Sequence, residues 1–136
     1  MPPKIMIIDD EPEIVMYLKT LLEDHGYATV SAPDGVQGLR FIKEEKPDLV
    51  CIDIMMPRKT GIALYHEIKT DPQIKEIPVI LISAYESAYA FKGKSFRRLV
   101  QDKSIPEPLR YFEKPIDVKA FLGFMDEHFA RKTPGP

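Results

Sequence analysis

Three short apolar segments constrain the fold of this chain more than any other feature of its sequence. They lie at residues 5–8, 49–52 and 79–82, and each is rich in β-branched side chains. Segments this short do not build helices, and strands that are apolar on both faces are typical of parallel strands buried between two layers of helices. The pattern therefore predicts a parallel sheet at the centre of the fold.

Prolines separate these segments from longer ones in which apolar residues recur at helical spacing. The chain holds thirteen prolines and seven glycines, and most of the prolines lie at junctions. Two more polar segments, 28–32 and 109–112, are predicted as strands nearer the sheet edges. Strands that alternate with helices imply right-handed βαβ units and a doubly wound, five-stranded α/β sheet with helices on both faces.

The helical segments carry their own start signals. Asp10 is placed to cap the first helix, with Pro12 in its first turn, and Thr60 is placed to cap the third. Residues 84–105 are irregular, and we expect two short helical pieces on either side of Gly93. The apolar residues of these pieces are Ala84, Ala88 and Phe91, then Phe96, Leu99 and Val100.

The composition excludes several classes of protein. Nineteen lysines and arginines against twenty-one aspartates and glutamates give a formal net charge of -2, so we expect no direct nucleic-acid or membrane partner. The single cysteine, Cys51, cannot form an intramolecular disulfide and fits a reducing, cytoplasmic location. We expect one domain over residues 1–130 and a flexible tail or linker stub over 131–136.

Polar groups follow four of the predicted strands, at the point where each strand ends. Asp9, Asp10 and Glu11 follow the first strand, Asp53 the third, Ser83 the fourth and Lys114 the fifth. Ligand sites of open α/β sheets lie at the carboxyl ends of the strands, so these groups are expected to converge. Carboxylates massed together repel one another unless a cation joins them, and Mg²⁺ suits oxygen ligands better than zinc does.

Taken singly, each of these residues has an ordinary explanation. Asp10 is a plausible helix cap, a lone aspartate after a strand is usually a turn residue, and most lysines lie on the surface. Four different strand ends nevertheless supply mutually complementary groups, and this combination favours a shared site.

The sequence resembles the receiver domain of two-component signalling, the response-regulator phosphoacceptor family, from Lys4 to about Arg131. The resemblance implies a flavodoxin-like three-layer sandwich with strand order 2-1-3-4-5. The matching residues are the pair Asp9-Asp10, Asp53 within Leu-Val-Cys-Ile-Asp-Ile-Met-Met-Pro, Thr60-Gly61, Ser83-Ala84 and Lys114-Pro115.

The resemblance also implies a set of roles. Asp53 would be the phosphoacceptor, taking a phosphoryl group from a phosphohistidine on a sensor histidine kinase or histidine phosphotransfer protein. Asp10, Asp53 and the backbone carbonyl of Met55 would hold Mg²⁺, with Asp9 in support. Such a chain is a signalling phosphoacceptor rather than a conventional enzyme.

Three further residues complete the implied machinery. Ser83 and Lys114 would contact phosphoryl oxygens, and the Lys114–Pro115 peptide bond would be cis. Ser83 and Tyr111 would form the switch that reports phosphorylation to a protein-interaction surface.

One other function remains open alongside the phosphoacceptor. The stretch from Ser83 to Lys114 is longer than is usual in the family, and its 84–113 face could hold a homodimer or a downstream protein. A phosphorylation-independent binding module on the same fold is therefore the alternative. A metal-dependent phosphatase is disfavoured, because Met55 stands where such enzymes carry a second aspartate.

Overall fold

Five parallel strands form the sheet in the part of the chain that the computed structural model describes, residues 2–56, 59–84 and 94–130. Their order is β2-β1-β3-β4-β5, and all four neighbouring pairs are parallel. This confirms the predicted topology. The strands are β1 (Lys4–Ile8), β2 (Ala28–Ala32), β3 (Leu49–Asp53), β4 (Val79–Ala84) and β5 (Arg110–Lys114).

Helices cover both faces of this sheet and make the three-layer sandwich. They are α1 (Pro12–Asp24), α2 (Gly35–Glu45), α3 (Gly61–Thr70), α4 (Lys94–Leu99) and α5 (Val118–His128). Alternate residues of β1 point to opposite layers, because successive side chains of a strand face opposite sides. Ile5 and Ile7 pack with α1 and α5, whereas Met6 and Ile8 pack with α2, α3 and α4.

Three of the described helices begin with a side-chain cap, and the cap at Thr60 confirms the prediction. Asp34, Thr60 and Asp117 each accept a backbone hydrogen bond in the first turn of α2, α3 and α5, respectively. The prediction that Asp10 caps α1 is wrong. Pro12 begins that helix, which puts Glu11 at the cap position, and no side chain makes a capping bond there.

The irregular region after β4 is described only in its second half. Residues 85–93, which hold most of the first expected helical piece, lie outside the described residues. The second piece is α4, with Phe96 fully buried. The long connection that follows is packed rather than loose, because Ile105 is buried in the core and the Tyr65 hydroxyl donates to the Pro106 carbonyl.

The described helices are short. None of them is long and apolar enough to cross a membrane. The expected tail at 131–136 lies outside the described residues.

Candidate functional site

The carboxyl ends of the strands bring the predicted residues to one edge of the sheet. Asp9 follows β1 directly, Asp53 ends β3 and Lys114 ends β5. Ser83 lies one residue before the end of β4 and pairs in register with Glu113, while Asp53 pairs with Ile82. Asp9, Asp53 and Ser83 are all buried, so this edge of the sheet encloses three polar side chains.

Four carboxylates gather at this edge. One oxygen from each of Asp9, Asp10, Glu11 and Asp53 lies within 4.8 Å of the other three. Asp9 and Asp53 are buried and form the floor, whereas Asp10 and Glu11 are exposed and form the rim. Glu11 also belongs to the predicted pattern of strand ends, but no role in the site was predicted for it.

Lys114 supplies positive charge to this cluster. Its Nζ lies 3.0 Å from Asp9 Oδ2, 3.1 Å from Glu11 Oε1 and 3.5 Å from Asp53 Oδ2. The peptide bond that follows it, Lys114–Pro115, is cis as expected. Burial lowers the pKa of Lys114, but the hydrogen bonds to Asp9 and Glu11 and the charge of Asp53 outweigh it and leave the pKa raised. The side chain is therefore a stable cation.

The carboxyl of Asp53 is the group most perturbed by this environment. Burial raises the pKa of Asp53 to about 7, and the negative charges of Asp9 and Asp10 add to this effect. Lys114 and the Met55 N–H, which donates to Asp53 Oδ1 over 3.2 Å, act in the opposite direction. One lysine thus compensates the clustered carboxylates only in part, and the cluster has room for more positive charge.

The donor set of this cluster fits Mg²⁺. It consists of hard carboxylate oxygens, two of them at a solvent-exposed rim where a metal can keep several of its waters. Met55 follows Asp53 by two residues, and its backbone is held beside that carboxylate by the hydrogen bond to Oδ1. The Met55 side chain points away from the core and is 59% exposed.

The start of α3 lies directly against the backbone of Asp53. The Gly61 N–H donates to the Ile54 carbonyl over 2.9 Å, and Thr60 caps the helix through the Ala63 N–H. A Cβ atom at Gly61 would meet the Asp53 carbonyl oxygen. Glycine is thus required for this close approach, which fixes the position of the Asp53 backbone.

Tyr111, the expected switch residue, lies three residues before Lys114 on β5. Its ring packs against the core on the α2, α3 and α4 side. Its hydroxyl is buried and finds no hydrogen-bond partner among the described residues. Burial raises the pKa of Tyr111 to about 12, with Glu107 adding to the shift and Arg97 opposing it. The hydroxyl is therefore already turned away from solvent.

The family of this chain follows from its similarity to known proteins. The family model for the response regulator receiver domain matches residues 5–97. This chain belongs to that family. Lys114 and Tyr111 lie beyond the matched residues, and Lys114 joins the acidic cluster through its position at the end of β5.

Several curated relatives span nearly the whole receiver domain. The polar-differentiation response regulator DivK of Brucella anthropi is 30% identical over 122 residues, which cover 90% of this chain and 92% of that protein. Protein PilH of Pseudomonas aeruginosa is 35% identical over 119 residues, which cover 88% of this chain and 91% of that protein. Both are similar to this receiver domain in length as well as sequence.

Solved structures of receiver domains have the same fold. The receiver domain of the Francisella response regulator 1452 superposes with a TM-score of 0.73 and 27% identity, covering 94% of this chain and 97% of that one. The receiver domain of sensor histidine kinase PA1611 from Pseudomonas aeruginosa, with a magnesium ion coordinated in its active-site cleft, gives a TM-score of 0.74 at 20% identity. It covers 93% of this chain and 97% of its own.

Proposed function

We propose that this receiver domain accepts a phosphoryl group on Asp53, in a Mg²⁺-dependent transfer from a phosphohistidine. The donor would be a sensor histidine kinase or a histidine phosphotransfer protein. The observation that carries the proposal is the pairing of a buried, strand-end carboxylate, Asp53, with the ammonium of Lys114 at 3.5 Å inside a four-carboxylate cluster. The magnesium ion in the related receiver structure supports the choice of metal.

The transfer requires the chain mainly to position the Asp53 carboxylate and to neutralise the charge of the phosphoryl oxygens. An Asp53 Oδ forms a bond to phosphorus, the N–P bond of phosphohistidine breaks, and the imidazole nitrogen keeps the bonding electron pair. The hydrogen bond from Met55 N–H and the packing of Gly61 against the Asp53 backbone hold the nucleophile in place. Lys114 offers its ammonium to a phosphoryl oxygen.

Metal binding would fall to the carboxylates of this cluster. Asp10, Asp53 and the Met55 carbonyl would hold the ion, with Asp9 supporting the site from the floor. When bound, Mg²⁺ supplies the positive charge that the phosphoryl oxygens need in addition to Lys114.

Signal output would follow from the new acceptor oxygens on Asp53. The Ser83 hydroxyl, on the neighbouring strand end, would donate to one of them and draw the end of β4 inward. Tyr111 lies on the next strand and would respond to that movement. The 84–113 face would then favour its partner, a second copy or a downstream protein, in a cytoplasmic signalling pathway.

Intact mass spectrometry tests this function. The wild-type protein is incubated with acetyl phosphate, with and without Mg²⁺, beside Asp53→Asn and a matched surface control, Asp24→Asn, at an exposed position. We expect one added phosphoryl group in the wild type and in Asp24→Asn, only with Mg²⁺, and none in Asp53→Asn. No adduct together with no Mg²⁺ binding would instead support the phosphorylation-independent binding module.

A further inference from the structure

Glu11 occupies a helix cap position without using its side chain as a cap. Its N–H donates to Asp9 Oδ1 over 2.9 Å, and its carbonyl accepts from the N–H groups of Ile14 and Val15. No side-chain capping bond forms at this helix start. The Glu11 carboxylate instead reaches Lys114, 103 positions away in sequence, with Oε1 3.1 Å from Nζ. Glutamate is not among the side chains that cap helices well, so the contact with Lys114, rather than helix capping, accounts for the position of this carboxylate.

Three carboxylates share the single ammonium of Lys114. The distances to Asp9 and Glu11 are 3.0 and 3.1 Å, shorter than the 3.5 Å to Asp53. An ammonium has three donors, and a phosphoryl group on Asp53 would bring acceptor oxygens that require at least one of them. Asp53 gives up its own 3.5 Å contact when it becomes the acyl phosphate, and the closer contacts with Asp9 and Glu11 then oppose the movement of Lys114 toward the phosphoryl oxygens.

The exposure of Asp9 and Glu11 decides which of the two Lys114 can leave more easily. Asp9 is buried, and its second oxygen is occupied by the Glu11 N–H, so loss of Lys114 would leave a buried charge poorly compensated. The Glu11 side chain is 59% exposed, and water can solvate its carboxylate once Lys114 leaves. Glu11 is therefore the partner that Lys114 can leave at the lower cost in free energy.

We infer that Glu11 is a positioning residue that competes with the phosphoryl group on Asp53 for Lys114, and so limits how tightly this receiver domain retains that group. The inference rests on the proposed function of Asp53. It concerns the strength of phosphoryl retention rather than the transfer itself.

Glu11→Gln tests this competition, because glutamine keeps the size of the side chain and removes its charge. With saturating Mg²⁺, calorimetric affinity for beryllofluoride, an anion with the shape of a phosphoryl group, should rise about two- to fivefold. The affinity for Mg²⁺ alone should fall by a similar factor, since the substitution removes one negative charge from the cluster. A purely structural role would lower both affinities, and that result would overturn the inference.

Glu13→Gln is the matched control, because Glu13 is an exposed acid in the first turn of the same helix. It should change neither affinity by more than about twofold. The same Glu11→Gln change in a Lys114→Gln background identifies the route. Competition for Lys114 requires the gain in beryllofluoride affinity to vanish there; an equal gain in both backgrounds would assign it to direct repulsion and overturn the inference.

The outcomes also separate this inference from the proposed function. A wild-type protein that takes neither a phosphoryl group nor beryllofluoride would overturn both. A wild type that takes both, with Glu11→Gln indistinguishable from it, would overturn the competition alone.

Discussion

A Cβ atom at Gly61 would collide with the carbonyl oxygen of Asp53. It would also lie 2.7 Å from the Ile54 Cα, so both obstacles belong to the backbone and neither can rotate away. The start of α3 therefore lies too close to the backbone at the end of β3 to leave room for a side chain at position 61. The position of the candidate phosphoacceptor depends on the absence of one methyl group in the helix beside it.

Gly61→Ala is accordingly expected to destabilise the fold by about 2–3 kcal/mol, because the methyl group must displace α3 or the Asp53 backbone. Urea unfolding measures the loss, and calorimetry should show weaker Mg²⁺ binding by the same variant. Gly123→Ala is the control. Gly123 lies within α5 and a Cβ there meets nothing within 4 Å, so that variant should gain about 0.5–1 kcal/mol. Equal stability of the two variants would contradict the prediction.

Asp53→Asn should stabilise the protein at pH 8 in metal-free buffer. Burial, with the charges of Asp9 and Asp10, raises the pKa of Asp53 from 3.8 to about 7 in the folded state. The folded carboxyl thus binds its proton more tightly than the unfolded one, and stability falls as the pH rises from about 4 to 7. We expect the free energy of unfolding of the asparagine variant to exceed that of the wild type by roughly 2–4 kcal/mol at pH 8. This gap between the two proteins should close toward pH 4.

Thermal unfolding between pH 4 and pH 8 measures this gap. Asp24→Asn, at an exposed position, should follow the wild type throughout the range. Added Mg²⁺ should narrow the gap at pH 8 by compensating the Asp53 charge. A gap that grows toward acidic pH would have the wrong sign for a raised pKa.

Lys114→Gln should bind Mg²⁺ several-fold more tightly than the wild type. The ammonium now lies 3.0 Å from Asp9 Oδ2 and 3.5 Å from Asp53 Oδ2, so it occupies oxygens that a metal would use. Its removal also leaves two buried carboxylates without their cation, and we expect about 2 kcal/mol less stability in metal-free buffer. Calorimetric titration with Mg²⁺ tests the first effect, with exposed Lys75→Gln as control. Weaker Mg²⁺ binding would show that Lys114 supports the metal rather than competing with it.

The site was predictable from sequence wherever it depends on sheet geometry alone. Parallel strands bring residues at their carboxyl ends together, so Asp9, Asp53, Ser83 and Lys114 could be placed at one edge from the strand pattern. The cap of α1 was not predictable to the residue, because an acid followed by proline fits the helix start at more than one position. Pro12 begins the helix one residue later than a cap at Asp10 requires.

Contacts between distant segments could not be predicted from the sequence, for a different reason. Glu11 and Lys114 are 103 residues apart, and His25 and Asp126 are 101 residues apart. No periodicity links such pairs, since they depend on how α1, β5 and α5 pack in three dimensions. The burial of the Tyr111 hydroxyl is of the same kind, because it depends on how the ring of a half-polar strand packs against the helical layer beside it.

Met55→Asn should shorten the lifetime of the phosphoryl group on Asp53. The Met55 backbone is held beside Asp53, and the exposed thioether of Met55 offers little to orient an attacking water, whereas an amide both donates and accepts. We therefore expect the wild type to lose its phosphoryl group slowly. The variant should lose it at least ~3-fold faster. The decay of the phosphorylated mass measures both. Tyr85 stands two residues beyond Ser83, as Met55 stands two residues beyond Asp53, and the family resemblance implies that both border the path of the hydrolytic water; Tyr85 lies outside the described residues.

Leu109→Asn controls for the introduction of an exposed amide, because Leu109 is a partly exposed apolar residue just before β5. Its decay should match that of the wild type. Equal lifetimes for Met55→Asn and the wild type would show that position 55 does not control water access.

Asp126→Ala should destabilise the fold without weakening the acidic site. Asp126 is buried in α5 and accepts hydrogen bonds from His25 at 2.8 Å and from the Tyr27 hydroxyl at 2.7 Å. These contacts tie α5 to the end of α1 and to the residue before β2, at the amino ends of the strands. We expect a loss of about 2–3 kcal/mol, because two partly or fully buried donors lose their acceptor.

Urea unfolding measures this loss, and Mg²⁺ titration of the folded variant should match the wild type, since the acidic cluster lies at the opposite edge of the sheet. Glu127→Ala, the exposed neighbour in the same helix, should change stability by less than about 0.5 kcal/mol. Tyr27→Phe removes only one of the two donors and should lose about 1 kcal/mol. If Asp126→Ala unfolded at the same urea concentration as Glu127→Ala, the buried carboxylate would not be holding α5 to α1.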